Sequence, residues 1–289
     1  MTGGTACVGP RLRLALLVVS LWAVGAAGAA GAGTAESDAP LDPQKLLARA
    51  FANLYADDYI QTLELSSESG SMRPLSRTLQ ILRKQSARPG KALVRFLEPQ
   101  DVRRTSILIL ENDGQSDDLW VYLPALRMTR RISSSQRADS FFGTDLSYED
   151  VEPKHADDYD VTLGGPAEDA EGCIVLEIRA REGIESTYER MVSCIEPERA
   201  LILWTDFYRK GTRIKRLRMD PDSVRAVRDR FIPHLITMET LRTRSLTRVR
   251  TLSYELVGEL PEKLFSTWNL EAGDAERDRS RTGERIEAE

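Results

Sequence analysis

The sequence predicts a mainly β protein of the α+β class: an antiparallel sheet or barrel behind one N-terminal helix. Three observations carry this. Short β-rich runs with a period of two recur at 59–67, 76–85, 91–97, 105–111, 118–123, 127–132, 159–163, 173–180, 187–195, 200–209, 212–219, 234–243 and 247–257. Turn-forming residues stand between them: Arg88-Pro89-Gly90, Glu98-Pro99, Asn112-Asp113-Gly114, Gly164-Gly165-Pro166, Lys210-Gly211 and Asp220-Pro221. No long helical pattern intervenes, so parallel βαβ units are excluded.

The first 35 residues are read as an address rather than as fold. Arg11 and Arg13 precede an eleven-residue apolar run, Leu14 to Val24, and then a Gly/Ala-rich stretch. That order is the layout of a signal peptide, and the apolar run is shorter than the roughly 18 residues a bilayer span needs. Residues 1–32 are assigned to a cleaved signal peptide, the mature start lying between Ala30 and Glu36; an uncleaved anchor is the alternative. The chain is expected in the periplasm. Cleavage before Glu36 removes Arg11 and Arg13, taking the net charge from −5 to −7.

The mature domain, about 40–270, opens on a helix. Asp42 is a capping acid, Pro43 suits the first helical position, and apolar residues at 46, 47, 50, 51 and 54 make one greasy face. The final stretch, 271–289, is nearly all charged or small residues and reads as a disordered tail. With 40 Lys+Arg against 45 Asp+Glu there is no surplus of cations to hold a phosphate backbone, so nucleic acid is not an expected partner.

Several strands are apolar on both alternating faces, notably Ile107 to Leu110, Leu119 to Leu123 and Leu201 to Trp204 followed by Phe207 and Tyr208. A sheet with one wet side should alternate cleanly, so both faces need cover. A curved sheet around an apolar cavity meets that need, and so does plain sandwich packing; the pattern leaves both open.

Without Cys7 the exported chain keeps Cys173 and Cys194. A hairpin centred between Gly183 and Ile184 would set them directly opposite one another, on one face, and predicts a cross-strand disulfide. Two buried free thiols are the alternative. The only histidines, His155 and His234, are isolated, so no metal site or cofactor is expected.

The segment Leu119 to Ile132, with Trp120, Tyr122, Pro124 and a basic end, runs on into Ser135-Gln136-Arg137 and then Asp139-Ser140-Phe141-Phe142-Gly143-Thr144-Asp145-Leu146-Ser147-Tyr148-Glu149-Asp150. This stretch resembles the outer membrane lipoprotein-sorting proteins of the LolA-like superfamily, and similar order continues to Phe265. The resemblance implies a half-closed antiparallel β-barrel with helices as a lid across its opening. It also implies carriage of a lipid or of lipoprotein acyl chains toward the outer membrane, by a monomer that is not an enzyme and that meets an outer-membrane receptor or an RND-type exporter. No G-x-S-x-G, H-E-x-x-H or phosphate-loop motif is present. A lipid-sensing regulator and an accessory subunit of an RND-type envelope exporter remain as alternatives.

Candidate ligand-binding residues are the strand aromatics and their neighbours, Trp120, Val121, Tyr122, Leu123, Trp204, Phe207 and Tyr208, although alternation turns only one parity inward. Phe141 and Phe142 beside Gly143 are read either as a mobile lid or as the anchor of a loop. Arg127, Arg130, Arg131 and Arg137 form the densest cationic stretch. They are assigned to an anionic headgroup or acidic partner, with a solvated strand end as the alternative.

Overall fold

The computed structural model describes residues 41–68, 74–85 and 89–271. The expected signal peptide, and the expected tail apart from its first residue, fall outside them. Helix α1 (Pro43–Tyr55) starts where its cap dictates, the Asp42 carboxylate accepting from the Gln44 and Lys45 amides at 3.0 and 3.2 Å. Fifteen strands follow among the described residues. They are β1 (Tyr59–Glu68), β2 (Leu75–Lys84), β3 (Lys91–Glu98), β4 (Ser106–Asn112), β5 (Gln115–Leu123), β6 (Met128–Arg131), β7 (Tyr159–Leu163) and β8 (Ile174–Ala180). The rest are β9 (Arg190–Glu196), β10 (Leu201–Arg209), β11 (Thr212–Met219), β12 (Val224–Val227), β13 (Arg230–Pro233), β14 (Leu235–Thr240) and β15 (Ser245–Leu256).

Thirteen of them form one antiparallel sheet in the order β6-β5-β4-β3-β2-β1-β15-β14-β11-β10-β9-β8-β7. The sheet is not closed into a barrel, because its edges β6 and β7 do not pair. Those edges are consecutive in the chain, and residues 132–158 run from one to the other. Register shifts in β1–β15, β2–β3, β4–β5, β9–β10 and β10–β11 mark bulges, which bend strands and increase twist, and a sheet this wide curls rather than staying flat. The β12–β13 hairpin is a separate ribbon that the sequence did not suggest. Its strands are four residues long, and its turn uses Arg228 at φ 55° where a glycine would have signalled it.

Each greasy face has its own cover. Ladder pairs Tyr59–Arg83, Arg83–Ala92, Ala92–Ile109 and Ile109–Leu119 identify the inner parity, to which Val121 also belongs. The outer parity carries Leu82, Leu93, Leu108, Trp120 and Tyr122, and these pack against Leu260, Phe265 and Leu270 of the chain that follows β15. Lys84 fastens that segment, donating to the Leu260 carbonyl at 2.7 Å.

Cys173 and Cys194 are bridged, with Cα atoms 5.5 Å apart, but not as a directly opposed pair. Cys194 faces Val175 across the β8–β9 ladder, and Cys173 lies just before β8 in a turn where its amide donates to the Ala170 carbonyl. The hairpin centre therefore sits one residue later than the turn signal at Gly183 suggests, and the bridge is diagonal. Since the bridge closes a span of 21 residues, reduction should lower stability by ~3 kcal/mol in denaturant melts. Thiols that react with an alkylating agent in the unreduced native protein would contradict the bridge.

Candidate functional site

The inner parity of the curled sheet surrounds a cavity of about 300 Å³, at the lower end of the size range of small-molecule sites. Its wall is built from strands far apart in the sheet order. Leu63 and Leu65 come from β1, Leu79 and Ile81 from β2, Val94 from β3, Ile178 from β8, Met191 from β9, Phe207 from β10, Leu217 from β11 and Met238 from β14. Helix α1 supplies Ala50, Phe51 and Leu54, the β12–β13 hairpin supplies Phe231 and Ile232, and residues 132–158 supply Phe141, Leu146 and Val151.

That last segment is strapped across the concave side by the motif residues. Phe141 is 1% exposed and meets the rings of Phe96, Phe142 and Tyr148 at centroid distances of 5.7, 5.2 and 5.6 Å. Gly143, at φ 82°, turns the chain back behind them. The Asp145 carboxylate accepts from Ser245 and Thr247 of β15, and its amide donates to the Thr247 hydroxyl at 2.8 Å. Glu149 accepts from Ser186 and from the amide and hydroxyl of Thr187. Asp150 accepts from the Ser147 amide at 2.7 Å, the Tyr188 hydroxyl at 2.7 Å and Lys215 at 3.0 Å. Arg137 pairs with Glu152 at 2.8 Å, both buried. These contacts give Asp145, Glu149 and Asp150 of the motif structural roles.

A polar end interrupts the oily wall where Tyr55, Tyr59, Arg83 and Lys154 line the cavity. Arg83 forms an ion pair with Glu111 at 2.5 Å, and Glu111 also accepts from His155 at 3.0 Å and from the Gly90 amide at 2.8 Å. Burial pushes the Glu111 carboxyl up, but the His155 hydrogen bond and the Arg83 charge outweigh it and hold it below its ordinary value. His155 is correspondingly raised by its bond to Glu111. Gly90 leaves room for this group: a Cβ there would lie 2.6 Å from the Glu111 Oε2 and 2.9 Å from the Arg83 Nη2, and those side chains would have to shift.

Two further carboxyls in the strap region are raised chiefly by burial, Asp117 to about 6 and Glu152 to about 7. Both hold a proton in the folded chain at pH values where the unfolded chain would have released it. Their stabilising effect is therefore full below the ordinary carboxylate range and is lost as pH rises through about 6 and about 7. The thermal midpoint should fall from pH 5 to pH 8, and Glu152→Gln should flatten the upper part of that fall; an unchanged slope would remove Glu152 as its source.

Among the sequence candidates, Phe141 and Phe207 line the cavity. Val121, Leu123 and Phe142 pack in the core around it without lining it. Trp120 and Tyr122 belong to the outer cluster, because their parity points away. Trp204 is also outward, its indole donating to the Asp169 carbonyl at 2.9 Å under the Arg216 guanidinium, and Tyr208 lies beneath Arg190. Arg137 is spent on Glu152 inside the protein, which withdraws it from the cationic contact group. Arg127 remains in the β5–β6 turn and Arg130 and Arg131 on β6, near the exposed Leu126 and Met128, with Arg131 ion-paired to Asp118. Sequence reading missed α1, Arg83 and Lys154 as cavity residues; no local motif marks them. Among the described residues no group of three or more His, Cys, Asp and Glu is placed to hold a metal ion, and no helix is long and apolar enough to cross a membrane.

Comparison with known proteins places this geometry. A family model described as uncharacterized-protein-like matches residues 89–272, more than half of the chain. No curated protein matches the chain. Among solved structures, a DUF1329 family protein from Desulfovibrio piger is 28% identical, with a TM-score of 0.72 over 80% of this chain and 100% of that one. A candidate outer membrane lipoprotein-sorting protein domain from Vibrio parahaemolyticus is 24% identical, with a TM-score of 0.71 over 79% and 98%. A LolA superfamily protein from Nitrosomonas europaea is 21% identical, with a TM-score of 0.63 over 78% and 98%.

Proposed function

We propose, from the premise that the chain belongs to the family matched over residues 89–272 and is LolA-like in fold, that it is a periplasmic carrier. Its cargo is a lipid or the acyl chains of a lipoprotein, held in the cavity and passed toward the outer membrane. The observation that carries this reading is the cavity itself, whose apolar wall is drawn from both halves of one curled sheet. Each methylene withdrawn from water is worth about 0.8 kcal/mol, so a lipid tail crosses an aqueous compartment only inside such a wall. Release requires a receiver that binds the cargo more tightly than the carrier does. The β5–β6 hairpin, with Arg127 in its turn, Arg130 and the Asp118-paired Arg131 on β6, and exposed Leu126 and Met128, is the surface we assign to contact with that receiver or with an anionic membrane.

Native mass spectrometry of the full chain, purified without detergent, tests the reading. Co-purified acyl cargo is expected. Ile236→Asp, a half-buried wall position on β14, should reduce its occupancy by about tenfold or more, because a carboxylate in an oily wall is costly to desolvate. A chain that is empty and takes up no added lipid would sink the proposal.

A further inference from the structure

We infer that the cavity binds a single-chain amphiphile by both ends, its hydrocarbon tail along the apolar wall and its anionic head group, a carboxylate or phosphate, against Arg83 and Lys154. The tail placement rests on the carrier reading above; the head-group site rests on separate observations. Arg83 is 0% exposed and lines the cavity, yet among the described residues its Nε and Nη1 have no hydrogen-bond partner. Within the described residues Glu111 and Gln85 both engage its Nη2. A guanidinium carries five N–H donors and an ammonium three. Lys154, also lining the cavity, makes one hydrogen bond among the described residues, to the Glu149 carbonyl at 2.6 Å. Arg83 and His155 both meet Glu111, and Lys154 directly precedes His155 in the chain, so the two cations lie at one end of the cavity.

The acids at this end are already committed. Glu111 is not among the lining residues, its Oε2 taken by His155 and the Gly90 amide and its Oε1 held by the Arg83 charge; Asp150 lines the cavity and is taken by Ser147, Tyr188 and Lys215. What the cavity offers a guest here is therefore donors. Water would satisfy them too, but an anionic oxygen gains more from donors that are themselves charged. Tyr55 and Tyr59 add hydroxyls that burial keeps protonated.

The test compares hexadecanoate, hexadecyl phosphate, hexadecanol and inorganic phosphate, titrated into the delipidated full chain. The two anionic amphiphiles should bind at least about tenfold tighter than hexadecanol, which has the same tail, and inorganic phosphate alone should bind far more weakly. Lys154→Met should reduce that preference to about threefold or less with hexadecanol affinity unchanged. An Arg83→Met/Glu111→Met double variant, which removes the ion pair together and strands neither charge, should do the same. Equal affinity for acid and alcohol in the parent chain would overturn the head-group site while leaving the carrier reading intact. Failure to bind any of the three amphiphiles would overturn the carrier reading itself. Inorganic phosphate binding as tightly as hexadecyl phosphate would make this a free-phosphate site and overturn the inference. If the double variant does not fold, Lys154→Met decides.

Discussion

Replacing Phe141 by alanine should cost about 4 kcal/mol of unfolding free energy, among the largest effects of any single side chain in the strap. The ring packs against Phe96, Phe142 and Tyr148, and its backbone amide is tied to the Leu146 carbonyl at 2.8 Å, so truncation removes aromatic contacts from a segment held in place. The same ring lines the cavity, so the truncation enlarges the cavity as it loosens its cover. Urea denaturation monitored by circular dichroism measures the loss. A change under about 1 kcal/mol would show that residues 132–158 are held by their polar ties and not by this aromatic cluster.

On the outer face, Asp206→Ala should be comparably damaging, about 3–5 kcal/mol, for a different reason. The Asp206 carboxylate takes Arg216 in a bidentate grip, Nε to Oδ1 and Nη2 to Oδ2 both at 2.5 Å, with both side chains buried and the guanidinium lying over the Trp204 ring at 4.7 Å. Removing the acid leaves a buried cation whose remaining partner, Asp169, reaches only Nη1 at 3.2 Å. Because the loss comes from the stranded charge, the Asp206→Ala/Arg216→Met double variant should recover most of it. A double variant as unstable as the single one would locate the cost in packing instead.

Much of the architecture was legible because it rests on local rules. The helix begins at Pro43 because Asp42 caps it, and the thirteen strands of the large sheet fall within a few residues of the period-two runs because alternating burial imposes that period. The stretch around Phe141 stood out by resemblance rather than by a local rule, and the choice between lid and loop anchor rests on the burial of Phe141 against Phe96 and Tyr148. The β12–β13 ribbon escaped notice because its turn is built on a positive-φ arginine.

Facing direction was a different matter. When both parities of a strand are apolar, pattern does not tell Val121 from Trp120, and the choice was made by what packs on each side: the strap and α1 within, the segment carrying Leu260, Phe265 and Leu270 without. The cysteine register was likewise set by the whole β8–β9 ladder rather than by its turn. Arg83, Glu111, Lys154 and His155 lie on segments that are unremarkable one at a time, and only the curl of thirteen strands brings them to one end of one cavity. Periodicity and capping are properties of neighbours in the chain, whereas a cavity and its charge belong to residues that become neighbours only when the sheet bends around them.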